Sequence, residues 1–115
     1  YRAIRYADVL LMAAEANNRK ASADDAKALN YLNQVRARAF GNSSQASSST
    51  GAALTQEIWD ERRFELAMEG HRFFDLVRTG EASTKVSGFI SGKHEVFPIP
   101  QTEIDISGLT QNAGY

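Results

Sequence analysis

The amino-acid sequence predicts an all-α fold of helical hairpins followed by an extended, irregular tail, and three observations carry that prediction. Residues Ala3 to Arg19 are rich in Ala, Leu and Met and free of Gly and Pro, so helix propensity is high throughout. The run LTQEIWDERRFELAMEGHRFFDLVR, Leu54 to Arg78, carries start and stop signals for two further helices. Beyond them HEVFPIP, His94 to Pro100, reads as extended, because Pro98 and Pro100 push their predecessors out of helical space and remove two backbone donors.

On a helical wheel the first segment is apolar nearly all round. Ile4, Ala7, Leu11 and Ala14 lie on one side, Val9, Met12 and Ala16 on another, Leu10 and Tyr6 on a third. A helix of that kind is expected to be covered on every side. Asp8 and Glu15 form a narrow acidic strip with Arg5 near it. Ser22 to Asp25 supplies caps and first-turn acids for a second helix, Ala26 to Phe40, whose apolar face carries Leu29, Leu32, Val35, Ala39 and Phe40. Arg36 falls within that face, whereas Arg38, Lys27 and Gln34 point away. The linker GNSSQASSSTG, Gly41 to Gly51, offers no apolar anchor and is expected to be flexible.

Thr55 suits the N-cap of the third helix, with Leu54 and Trp59 as the two sides of a hydrophobic staple and Glu57 in the first turn. Gly70 is the expected stop, and His71 to Thr79 then makes a fourth helix closed by Gly80. Glu81 to Lys93 is expected to be loop anchored by Val86, Phe89 and Ile90. Gln101 to Ile104 makes one helical turn, and the tail is polar apart from Leu109 and Tyr115. The first two helices together span about one tetratricopeptide unit, and their small side chains favour close approach, so tetratricopeptide-like hairpins are the expected geometry.

The charges of the third helix are placed unusually. Glu61, Arg62, Glu65 and Glu69 lie between two apolar sectors, one holding Ile58, Trp59 and Leu66 and the other Phe64 and Met68, leaving only Asp60, Arg63 and Ala67 outward. An unpaired buried charge costs several kcal/mol, so an enclosed structural ion cluster of Arg36, Glu15, Arg62, Glu65 and Glu69 is expected. Arg36 is the leading cation for Glu65, Glu69 or Glu15.

Composition narrows the function. With 115 residues and 43% hydrophobic content, the chain makes one globular unit. A net charge of −1 gives no basic footprint for nucleic acid. The absence of cysteine excludes disulfides and thiolate metal sites, and no apolar run reaches membrane-spanning length. Acids four apart, such as Glu61 and Glu65, resemble a glycosidase pair in spacing. Neighbouring arginines would lower their pKa values where acid catalysis needs one raised, so no enzyme is expected. His71 reads as a corner residue bonding a helix end and His94 as a solvated loop residue, neither within a metal-ligand spacing. No cofactor is expected.

Four segments in order, IRYADVLLMAAEA, LNYLNQVRARA, LTQEIWDERRFELAMEGHRFFDLVRTG and FPIPQTEIDISGLTQNAGY, closely resemble the C-terminal region of the SusD/RagB family of outer-membrane nutrient-binding lipoproteins. The resemblance covers nearly the whole chain, and its combined motifs are highly specific. Two departures are the Ser-rich insert, Gly41 to Gly51, and Ala113 where the family commonly has proline. The resemblance implies tetratricopeptide-like helices and a fragment, residues 1–115, of a longer protein lipid-anchored through its missing N-terminus to the outer face of the outer membrane in Bacteroidetes-type bacteria. It further implies a TonB-dependent, SusC-like transporter as partner and capture of oligosaccharide or peptide nutrients. Family glycan sites lie largely outside this segment, and no stretch here matches them. Saccharide recognition needs an exposed aromatic platform. Trp59, Phe64, Phe73 and Phe74 sit at helical spacing and are expected in the core, leaving Phe89 and Tyr115 as candidate ligand-binding residues. The alternative is a tetratricopeptide-like scaffold that binds a protein partner and no small ligand.

Overall fold

Residues 4–115 are described by the computed structural model. Six helices follow in order among them: α1 Tyr6–Arg19, α2 Asp25–Phe40, α3 Gly51–Glu65, α4 Arg72–Thr79, α5 Ala82–Lys85 and α6 Gln101–Ser107. No strand forms among the described residues, so the fold is all-α as the propensities predict. The expected start of the first helix at Ala3 lies outside the described residues. Two compact units are formed, Tyr1–Arg72 and Phe73–Tyr115, in place of the one globular unit that length and composition predict.

In the first unit the short link between α1 and α2 makes a helical hairpin, and α3 packs against both of its helices. Asp24 caps α2 by accepting from the Lys27 N–H at 3.0 Å, and Gly41, with φ 72°, ends that helix in the left-handed conformation. The core consists of Leu10, Leu11 and Ala14 from α1, Ala28, Leu32 and Val35 from α2, and Leu54 and Ile58 from α3. Leu11, Leu32, Leu54 and Ile58 are completely buried, each contributing roughly 1.5–3 kcal/mol.

Several elements depart from the sequence reading. The third helix begins at Gly51, four residues before Thr55, so Leu54 is a core residue and not half of a staple. Its start is capped from another helix: Asp25 Oδ2 accepts from the Gly51 N–H at 2.7 Å, while Asp25 Oδ1 accepts from Asn18 Nδ2 at 2.8 Å. Asn18 also donates to the Gly51 carbonyl at 3.2 Å, and the Thr55 hydroxyl donates to Asn18 Oδ1. One polar junction therefore ties the end of α1 to the starts of α2 and α3.

The same helix stops at Glu65 instead of continuing to Gly70. Arg5 Nη2 takes the Glu65 carbonyl at 2.7 Å, satisfying a helix-end acceptor with a cation. The turn that follows places the fully exposed Met68 at φ 67°. Tyr6, Val9 and Met12 are exposed on α1, as is Ile4 just before it, so that helix is open on one face and not covered all round. Ala39 and Phe40 of the expected apolar face of α2 are exposed too.

The Ser-rich linker has polar anchors where the sequence offered no apolar one. Asn33 and Ser47 exchange two hydrogen bonds, Ser47 N to Asn33 Oδ1 at 2.7 Å and Asn33 Nδ2 to the Ser47 carbonyl at 3.0 Å. Ser49 donates to Glu57.

In the second unit, a single turn of helix, α5, replaces part of the expected loop, and α6 runs to Ser107, three residues beyond the expected turn. The tail folds back on the proline-containing segment. Gln111 mimics a strand partner: its Oε1 accepts from Ile99 N and its Nε2 donates to Ile99 O, both at 2.8 Å. Asn112 Nδ2 donates to Phe97 O at 2.7 Å, and the Tyr115 hydroxyl donates to Val96 O at 3.0 Å. Side chains thus serve carbonyls beside Pro98 and Pro100, where no regular backbone ladder is possible.

Candidate functional site

Chemistry-bearing side chains gather in two places, an array of ion pairs in the first unit and an aromatic groove in the second. The array is organised by α3, on which Glu57, Glu61 and Glu65 recur at the four-residue spacing that stacks side chains on one face. Arg36 of α2 answers two of them, with Nη1 3.3 Å from Glu57 and Nε 2.9 Å from Glu61. It does not pair with Glu15, Glu65 or Glu69, the carboxylates expected for it. The register explains the difference: Arg36 lies level with the middle of α3, whereas Glu65 ends that helix and Glu69 lies in the turn beyond.

Those two acids belong to Arg5. Its guanidinium meets Glu65 at 2.8 Å and Glu69 at 2.7 Å, and these hydrogen bonds, first to Glu69 and then to Glu65, raise its already high pKa. Arg38, expected to point away, also reaches Glu65. Glu15 pairs with Arg19 at 2.9 Å. Arg62 is buried with Asp8, Nη1 to Oδ1 2.7 Å, both side chains under a tenth exposed. Arg36 thus joins α2 to the middle of α3, Arg5 joins the start of the chain to the end of α3 and the turn beyond, and Arg62 joins α3 to α1. Sequence reasoning passed over Arg5 as a principal cation and over Glu57 as an acceptor; the signal for Glu57 was its i−4 relation to Glu61.

The hydrogen bond from Arg5 holds Glu69 below the usual carboxylate range. Burial pushes the Glu57 carboxyl up, but hydrogen bonds from Ser47 and Ser49, with the charge of Arg36, outweigh it and lower the pKa. The Gly51 backbone N–H, assisted by Asn18, lowers Asp25. A general acid requires the opposite environment, so the array suits architecture better than proton transfer.

Two of the aromatics expected in the core, Phe64 and Phe74, are exposed. Trp59 is half-buried, with the Arg19 guanidinium 5.5 Å from its ring centroid. Phe73 is half-buried at the centre of an aromatic set. Its centroid lies 6.4 Å from Phe89 and 6.4 Å from Phe97, and Phe89 packs edge-to-face on His94 at 5.7 Å. These rings line an open groove of about 250 Å³, and Tyr115 forms another part of its wall. Phe89 and Tyr115, proposed from sequence as ligand-binding residues, therefore line one concavity. Phe97 was missed there, because a residue before Pro98 in an extended run carries no periodicity to mark its exposure.

The polar groups of the groove are constrained. His94 Nδ1 accepts from the Ile90 N–H at 3.0 Å, which leaves Nε2 as the protonated, donating nitrogen of the neutral ring. Lys93 Nζ stands 4.7 Å from the Tyr115 ring centroid, a cation–π arrangement. A second hollow, of about 500 Å³, is lined in the first unit by Tyr6, Ala7 and Leu10 of α1 and Val35 and Ala37 of α2. Among the described residues no group of three His, Cys, Asp or Glu is placed to hold a metal ion, and no helix is long and apolar enough to cross a membrane.

Comparison with known proteins gives one consistent result. The model of the SusD family matches residues 1–96. Three proteins of Formosa agariphila are similar to this chain: SusD-like protein P25, 35% identical over 90% of the chain and 21% of its own length; SusD-like protein P2, 33% identical over the whole chain and 26% of its own length; and SusD-like protein P38, 38% identical over 96% of the chain and 24% of its own length. The chain therefore spans about a fifth to a quarter of the curated relatives it matches.

Proposed function

Because this chain belongs to the SusD family, we propose that it is the C-terminal structural segment of a longer, non-enzymatic protein that binds glycan or other nutrients at the bacterial outer membrane. In this reading the whole protein is a lipoprotein anchored through an upstream N-terminus, facing outward, and it passes oligosaccharide or peptide nutrients to a SusC-like, TonB-dependent transporter. The observation that carries the reading is the family match across residues 1–96. The relatives' greater length supports the fragment assignment. The exposed apolar face of α1, Tyr6, Val9 and Met12, with Ile4 before it, suits burial by further polypeptide, since contiguous apolar surface is costly to leave in water.

The ion array supports a structural role for the helical part. Its acids are held by arginines from neighbouring segments, and their pKa values, where displaced, move down. The test is a glycan array on the full-length protein together with the sequence encoded upstream. Saccharide retention and a signal peptide ending in a lipidated cysteine are expected. An ordinary cytoplasmic start, with no saccharide or peptide retained, would overturn the proposal in favour of a protein-binding scaffold.

A further inference from the structure

We propose that the aromatic groove of the second unit is itself a saccharide subsite, taking a single pyranose ring against Phe97 and Phe89; this rests on the nutrient-binding reading above. Several observations converge on that occupant. Phe97 is 73% exposed although its ring packs on Phe73, and Tyr115 is 45% exposed although its hydroxyl is bound to Val96 O, so ring surface is presented to solvent by side chains that are already held in place. Apolar C–H faces of a sugar ring are the natural complement of such a surface, and preorganisation spares the side-chain ordering that binding otherwise costs. The concavity of about 250 Å³ is below the range of drug-sized pockets, which matches one ring better than a folded peptide.

The polar edge supplies a hydrogen-bond donor. His94 Nε2 is confined to donation by the Ile90 N–H on its other nitrogen, and the Lys93 ammonium stands beside Tyr115. His94 lines the groove, so its Nε2–H is a donor at that edge, whereas the Lys93 ammonium is engaged with the Tyr115 ring. The nearest carbonyls are already served, Val96 O by the Tyr115 hydroxyl and Phe97 O by Asn112. A donor at the edge of an apolar floor suits a ligand with oxygen acceptors around an apolar ring face, the distribution a pyranose has. The strap that forms one wall, Gln111 to Tyr115, is held by hydrogen bonds to Ile99, Phe97 and Val96, so the groove is built before ligand arrives.

The experiment uses the full-length protein. The best-retained oligosaccharide from a glycan array of neutral and acidic saccharides is titrated calorimetrically into wild type, Phe97→Ala, Phe97→Trp and Phe64→Ala. Phe97→Ala is expected to weaken binding about tenfold, Phe97→Trp to restore it, and Phe64→Ala, exposed in the other unit, to leave it unchanged. Equal affinity in wild type and Phe97→Ala would overturn the groove proposal while leaving the nutrient-binding reading intact. No saccharide retained by the array at all would likewise overturn the groove proposal, and the nutrient-binding reading would fall with it only if peptides too are not retained. Since Phe97 is largely exposed, its truncation leaves the fold in place, and a thermal melt matching wild type confirms that the affinity change reads the groove.

Discussion

Replacing Arg62 by Met is expected to destabilise the first unit by about 3–5 kcal/mol, the loss found when one partner of a buried ion pair is removed. The magnitude follows from the site. Arg62 and Asp8 are about 5% exposed as residues, and their charged atoms are 2.7 Å apart, so the variant leaves a carboxylate enclosed among α1 and α3 with its principal cation gone. Dehydrating an unpaired carboxylate costs several kcal/mol, far more than a methionine of similar length returns by packing. The companion variant is Asp8→Leu with Arg62→Met, in which both charges are replaced by apolar groups of similar volume; it is expected to recover most of the loss. Urea denaturation of the full-length protein, followed by tryptophan fluorescence, reads both variants through the shift in midpoint at constant slope. An Arg62→Met protein within about 1 kcal/mol of wild type would refute the reasoning, since the pair would then behave as a surface contact.

Three further perturbations follow from the same geometry. Arg36→Leu is expected to lower stability more than Arg38→Leu by on the order of 2 kcal/mol, because Arg36 is mostly enclosed between Glu57 and Glu61 whereas Arg38 is 60% exposed and shares Glu65 with Arg5; equal urea midpoints would contradict this. Glu57 and Glu69 have folded pKa values below the ordinary 4.5, so their stabilisation is full above about pH 4.5 and is lost as the pH falls through the lower folded values; a urea midpoint that rises on acidification below pH 4.5 would contradict the sign. Met68→Gly is expected to stabilise the turn after α3 by up to about 1 kcal/mol, since Met68 holds φ 67° with its side chain in water; a lower melting temperature would show that Met68 has a partner elsewhere in the full-length protein.

The helices were legible in the sequence where local signals act alone. Ser22 to Asp25 and Gly41 bound α2 because a capping carboxylate and a left-handed glycine are properties of a few adjacent residues. The ends of α3 were not, and both failures share a cause. Its start is capped by Asp25 and its last residue by Arg5, side chains 26 and 60 positions away in the chain, which no local pattern can reveal. Helical periodicity likewise foretold which side chains share a face of α3 without revealing that Arg36 stands level with Glu57 and Glu61. Register between helices depends on how far each is shifted along its axis, and that shift is set by the packed core.

Exposure of the aromatics illustrates a different limit. Phe64 and Phe74 fall at core spacing yet lie in solvent, while Phe89, in an irregular segment, is half-buried against Phe73 and His94. Periodicity reports whether a residue lies on a given stripe of a helix, and burial requires in addition that another element cover that stripe. In α1 the stripe facing α2 and α3 is covered and the one carrying Val9 and Met12 is open. The second unit reverses the logic: its rings are held together by short connections and by the tail's hydrogen bonds to Val96, Phe97 and Ile99, so irregular backbone, not helix, decides which faces remain available. That is why ligand-facing surface is sought in Phe97 and Tyr115 while the helical acids are assigned to holding the scaffold: the first are fixed yet still exposed, and the second are bound to arginines.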